Sequence, residues 1–242
     1  MRVTILGVTV DTYSMSETVE KIGCAVQDRR ALRVVTANPE MIYASEHNPE
    51  LKQVINSADI ITADGIGVVW AARTLGTQVQ ERVTGIDLVQ AIFPAASAGK
   101  WRMYFLGGKP GVAELAAYKI STDYPGIKCC TRHGYFSPQE EQKILQEIRQ
   151  FQPDVLLVGL GAPRQEFWLA EHPDLAKVGI GVGGSFDALA GVVTRAPRRI
   201  QELHLEWLYR LLKEPWRWRR QTVLPRFMLR VLCQKVRYSS NS

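Results

Sequence analysis

The residues with most chemistry in reach stand where apolar runs end. Ile60-Ile61-Thr62 leads into Ala63-Asp64-Gly65, and a helix-like segment then runs to about Gly76. That order reads as buried strand, tight turn and helix start. Ligands of parallel α/β folds sit at the carboxyl ends of strands, so a carboxylate at Asp64 stands at a mouth, where it can take a proton from a hydroxyl. The alternative is a helix cap, a position aspartate favours. Arg33-Val34-Val35-Thr36 ends similarly, in Ala37-Asn38-Pro39, which leaves Thr36 and Asn38 as polar groups at a second strand end.

Two further runs end in glycine: Gly107-Gly108-Lys109-Pro110-Gly111 and Gly159-Leu160-Gly161-Ala162-Pro163-Arg164-Gln165. Such loops let backbone N–H groups approach an anion at a helix N-terminus; simple helix packing also accounts for them. Neither is GxGxxG or GxxxxGK[ST], so neither nucleotide motif is satisfied. Arg164 and Gln165 fall in a first helical turn, within reach of a ligand. His47, His133, His172 and His204 are scattered, and no Asp-x-Asp occurs. This favours metal-independent chemistry without a cofactor. Cys24, Cys129, Cys130 and Cys233 show no CxxC spacing, which suits a reducing compartment. No Gly-x-Ser-x-Gly elbow points to a hydrolase of that type.

The elements that must position these groups alternate. Val3 to Val10 reads as a first strand. Ser14-Met15-Ser16-Glu17 is a capping box into a helix reaching about Arg29, and Pro39 suits the first position of another. Strands at Arg102–Leu106, Ile127–Thr131, Asp154–Val158 and Val178–Val182 alternate with helices, one of them capped by Ser137. This pattern predicts a Rossmann-like α/β fold, a mostly parallel sheet flanked by helices. The 242 residues suit one such domain with a tail, and the pattern stops near Arg195-Ala196-Pro197. The division predicted is 1–194, the α/β body, and 195–242, a basic, aromatic-rich helical appendage.

Charge follows that division. The net +6 conceals a tail with twelve Lys or Arg against Glu202, Glu206 and Glu214, so the body is mildly acidic. Such a tail seeks phosphate, in a nucleotide, a nucleic acid or an anionic membrane. Leu203 to Lys213 reads as a helix closed by Glu214-Pro215. Beyond it Leu224, Phe227, Met228, Val231 and Leu232 form one apolar stripe that Arg226, Arg230 and Arg237 can flank. With Trp207, Trp216 and Trp218 nearby, the stripe suits a helix lying on a membrane surface or one packed on the body. Self-association into a homo-oligomer is another way to hide it. No run of 18 apolar residues is present, so no spanning helix is expected.

Taken together, Thr36-Ala37-Asn38-Pro39-Glu40, Ala63-Asp64-Gly65-Ile66-Gly67, Arg82-Val83-Thr84-Gly85-Ile86-Asp87, Phe105-Leu106-Gly107-Gly108, Gly159 to Glu166, Gly181 to Asp187, Arg195-Ala196-Pro197 and Leu205 to Leu211 with Glu214-Pro215 resemble the WecG/TagA/CpsF glycosyltransferases, over nearly the whole chain and in the same order. The resemblance implies an inverting transferase. It would move an N-acetylmannosamine-type sugar from a UDP donor to a polyprenyl-diphosphate-linked GlcNAc in teichoic acid, capsule or exopolysaccharide synthesis. It would do so on the inner face of the cell membrane. It makes Asp64 the general base and places Thr36, Asn38, Arg82 and Gln165 in the same pocket. It also makes Arg210, Arg217 and Arg220 the arginines that close over the diphosphate, beside the loops of Gly107, Gly108, Gly159 and Gly161. The motifs are common to members with other donors, so another UDP-hexose (N-acetylmannosaminuronic acid or glucose) is the alternative. Two other classes, a nucleic-acid binder using the basic arm and an NAD-type enzyme using a glycine loop, lack any supporting motif in the body.

Overall fold

The computed structural model describes residues 1–197, 200, 206–213 and 222–240. Local chemistry starts most helices. Ser14 and Ser137 each accept the backbone N–H of the residue three on, and Glu17 and Glu140 return the bond. These capping boxes open α1 (Met15–Gln27) and α7 (Pro138–Phe151). Asn38 and Asn48 cap α2 (Pro39–Glu46) and α3 (Pro49–Asn56), each with proline at the first position, where its missing N–H costs nothing.

The first expected strand is two. β1 (Arg2–Ile5) and β2 (Val8–Asp11) pair antiparallel around Leu6 and Gly7, both at positive φ, the conformation a two-residue hairpin turn requires. Gly7 was the available signal. The hairpin is tied to the sheet by buried Asp11, whose carboxylate accepts from Arg2 and from the Ile61 N–H.

The other strands are β3 (Leu32–Ala37), β4 (Ile60–Ala63), β5 (Arg102–Gly107), β6 (Lys128–Arg132), β7 (Val155–Gly159) and β8 (Val178–Gly181). They form one parallel sheet in the order β4-β3-β8-β7-β5-β6. Their near-continuous apolar sequences fit burial on both faces. Val34, Ile60, Phe105, Leu157 and Ile180 turn to one face, which is covered by α1, α5 (Gly85–Ala98), α6 (Val112–Asp123) and α9 (Ser185–Leu189). Val35 and Ile61 meet α2, α3 and α4 (Ile66–Thr74) on the other, while Tyr104 and Leu156 meet α7 and α8 (Arg164–Glu171) there. The chain leaves adjacent β3 and β8 toward opposite faces, a topological switch point at the carboxyl edge, where ligands of such sheets bind.

Beyond Pro197 the described chain includes the helices Glu206–Lys213 and Val223–Ser240. The second packs on α2 and α4. Phe227 and Val231 are fully buried there, Gln234 exchanges hydrogen bonds with the Leu6 N–H and the Thr4 carbonyl, and Arg230 pairs with Glu46. The single stripe read from the sequence is therefore divided. Phe227 and Val231 turn inward, while Met228 and Leu232 turn outward and join Leu229 and Val236 as an exposed apolar face. Among the described residues no helix is long and apolar enough to cross a membrane.

Candidate active site

Asp64 follows the last residue of β4 directly. Its own N–H bonds the Ala37 carbonyl at the end of β3, and Gly65, at φ 104°, is the residue that caps α4. Asp64 is thus not the helix cap. Its Oδ2 instead accepts the Gly85 N–H at 3.4 Å, from the first turn of α5.

Gly85 is where neighbouring strands meet. A Cβ there would lie 3.3 Å from the Thr36 hydroxyl and 3.7 Å from that of Ser185. Thr36 Oγ1 donates to the Gly181 carbonyl at the end of β8. Gly181 in turn abuts Gln165, whose Oε1 accepts the Gly183 N–H at 3.0 Å. Asp64, Thr36 and Gln165 are therefore linked through Gly85 and Gly181 across the ends of β4, β3 and β8. Asn38 lies two residues past Thr36, half-buried, with its carbonyl oxygen given to the Met41 N–H.

Arg82 joins this group through a residue the motif reading left without a role. Thr84 caps α5, and its hydroxyl meets Asp87 Oδ2 at 2.6 Å. Asp87 also holds Arg195 at 2.7 Å and Arg82 at 3.7 Å. Burial pushes the Asp87 carboxyl up; the Thr84 hydroxyl, Arg195 and Arg82 more than offset this and leave it below the usual carboxylate range. A Thr-x-x-Asp pattern before an apolar run was the signal for this cap.

The glycine loops sit further along the same edge. A Cβ on Gly107 would lie 2.4 Å from the Gly159 carbonyl oxygen, and one on Gly159 2.8 Å from that of Gly183. These glycines let backbones touch. The Gly108 N–H donates to the Gly159 carbonyl, and Gly134 N–H to Gly108. Gly161 is open, with nothing within 4 Å of a Cβ position. Around them stand exposed Lys109 and Tyr135, and Arg164, which donates to the Gly134 carbonyl and lies over the Phe136 ring.

Arg210 falls in the helix Glu206–Lys213, whereas Arg217 and Arg220 lie outside the described residues. The last helix begins beside the site: a Cβ on Gly67 would meet Pro39 at 2.8 Å and Leu224 at 3.9 Å, so the N-termini of α2, α4 and this helix converge. No group of three His, Cys, Asp or Glu among the described residues could hold a metal ion.

Comparison with known proteins finds relatives over most of the chain. The chain is 39% identical over 202 residues to an N-acetylglucosaminyldiphosphoundecaprenol N-acetyl-β-D-mannosaminyltransferase of Bacillus spizizenii, covering 82% of this chain and 78% of the relative. It is 37% identical over 235 residues to the protein of the same description from Staphylococcus aureus strain MRSA252, covering 95% and 92%. The family model for the WecG/TagA/CpsF glycosyl transferases matches residues 3–241, from the hairpin through the site-bearing strands to the last helix, and the chain belongs to that family.

Proposed function

We propose that this glycosyltransferase moves an N-acetylmannosaminyl group from a UDP donor to a polyprenyl-diphosphate-linked GlcNAc, with inversion at the anomeric carbon, in cell-surface polysaccharide or teichoic acid synthesis. The activity for which the relatives are named supports the sugar and the acceptor. The observation that carries the site assignment is Asp64 at a strand mouth, linked through Gly85 and Gly181 to Thr36 and Gln165.

The chemistry follows from those groups. The acceptor hydroxyl gives its proton to the Asp64 carboxylate from about 3 Å. Its oxygen bonds the anomeric carbon as the bond to the diphosphate breaks, and UDP leaves with the electron pair. Arg82 and Gln165, with Thr36 and Asn38, orient the sugars. The leaving diphosphate needs countercharge, which in the metal-independent reading falls to Arg210, Arg217 and Arg220, since bidentate arginine–phosphate contacts suit it. Leu224, in the described chain, lies beside the N-termini of α2 and α4. In this reading the loops of Gly107, Gly108, Gly159 and Gly161 supply a ledge of close backbone for the nucleotide.

The appendage, 195–242, serves in this reading to bring the site to its lipid acceptor. The last helix turns Met228, Leu229, Leu232 and Val236 outward, with Arg226, Lys235 and Arg237 also exposed. Each basic residue adds roughly 1 kcal/mol near an anionic surface. This supports peripheral binding to the inner membrane face.

The test is to incubate the purified chain with a panel of UDP-sugars and a lipid-diphosphate-GlcNAc, then analyse the linkage. Transfer from UDP-N-acetylmannosamine with an inverted linkage is expected. Preference for another UDP-hexose would overturn the donor assignment, and no transfer from any UDP-sugar would overturn the reaction.

A further inference from the structure

β8 reads Val-Gly-Ile-Gly, and its alternation has two consequences. Val178 and Ile180 fill one face of the sheet. On the other, Gly179 and Gly181 leave space that α8 fills. A Cβ on Gly181 would lie 2.8 Å from Gln165 Nε2 and 3.2 Å from Glu166 Oε1, so a larger residue would displace the Gln165 amide and crowd Glu166. These are 3% and 1% exposed, among the most deeply buried polar residues of the chain.

Their bonds run in one direction. The Gly183 N–H donates to Gln165 Oε1 at 3.0 Å, and Gln165 Nε2 donates to Glu166 Oε1 at 2.8 Å. A flipped amide would set NH2 against the Gly183 N–H and its oxygen against a carboxylate, losing both bonds. An amide nitrogen carries two hydrogens, and among the described residues one of them is bonded, to Glu166. Glu166 also answers to Arg33 on β3: Glu166 Oε2 and Arg33 Nη1 are both buried without a hydrogen-bond partner, and the guanidinium charge acts on the carboxyl.

We propose that Glu166 is a positioning residue for sugar transfer. It holds the Gln165 amide in the one orientation that receives Gly183, and so keeps the second amide hydrogen for the bound sugar. The proposal rests on the reading of Gln165 as a pocket residue.

A double-mutant cycle on kcat/KM tests it, with thermal unfolding of every variant. Gln165→Met and Glu166→Met each lower kcat/KM by roughly 10- to 100-fold, and the double variant is no worse than Gln165→Met alone. Glu166→Gln keeps a carbonyl acceptor and stays within about threefold of wild type. Additive losses in the double variant would overturn the proposal, as would full activity in Glu166→Met. Should Glu166→Met fail to fold, Glu166→Gln decides, because a loss beyond about tenfold in that folded variant contradicts the role. Full activity in Gln165→Met instead removes Gln165 from the pocket, a distinct failure of the underlying site reading.

Discussion

The two halves of the carboxyl edge solve different problems with the same strand ends. At β4, β3 and β8 the chain spends polar side chains. Asp64, Thr36 and Gln165 each have an oxygen engaged by the backbone of a neighbouring element, which fixes their direction. At β7 and β5 it removes side chains. Gly107, Gly159 and Gly183 bring three backbones together, and beside them the Gly108 N–H bonds the Gly159 carbonyl. One half fixes the direction of polar side chains and the other packs backbone against backbone. A glycine-rich strand end is thus not in itself an anion site: the Gly108 N–H already belongs to Gly159.

That contrast can be broken by substitution. The largest effect is expected at the polar half, where Asp64→Ala lowers transfer by about 10²- to 10⁴-fold, the range of a lost general base, while the unfolding midpoint barely moves. At the glycine half the effect falls on the fold. Gly107→Ala forces a Cβ against the Gly159 carbonyl and costs about 1–3 kcal/mol by chemical denaturation. Gly161→Ala meets no atom but must hold φ near 80°, for about 1 kcal/mol. The smallest effects are those of pH, and the polar half contains both signs. Asp87, held low, contributes stability above the usual carboxylate range that is lost as pH falls through its depressed value. Glu166, pushed up by burial against the Gln165 bond and Arg33, makes stability fall as pH rises from the usual range toward its raised value. Denaturation across pH should lose, in Asp87→Asn, the slope below the usual carboxylate range and, in Glu166→Gln, the decline that begins in that range and runs upward. An unchanged slope contradicts the matching assignment.

What the sequence revealed follows the range of the physics. Strand ends, the capping box at Ser14, the cap at Ser137 and the proline start at Pro39 depend on neighbours a few residues away, and each is found in the structure. The turn at Leu6–Gly7 is marked in the sequence only by a change of phase, from Val3 and Ile5 to Val8 and Val10, inside one short apolar run. The partners of Asp64 and Gln165 depend on strand order, which brings Gly85 beside Thr36 and Gly181 beside Gln165 from distant parts of the chain. The stripe of the last helix was visible as a period, but its division needed the body: α2 and α4 select Phe227 and Val231, and leave Met228 and Leu232 outside.

The most direct measurement is single-turnover transfer by Asp64→Asn, with UDP affinity measured on the same sample. Asparagine keeps an oxygen for the Gly85 N–H but carries no negative charge and cannot take a proton. UDP binding within about threefold of wild type, with the chemical step slowed at least about 100-fold, is the result predicted for a general base. A single-turnover rate near that of wild type would contradict it.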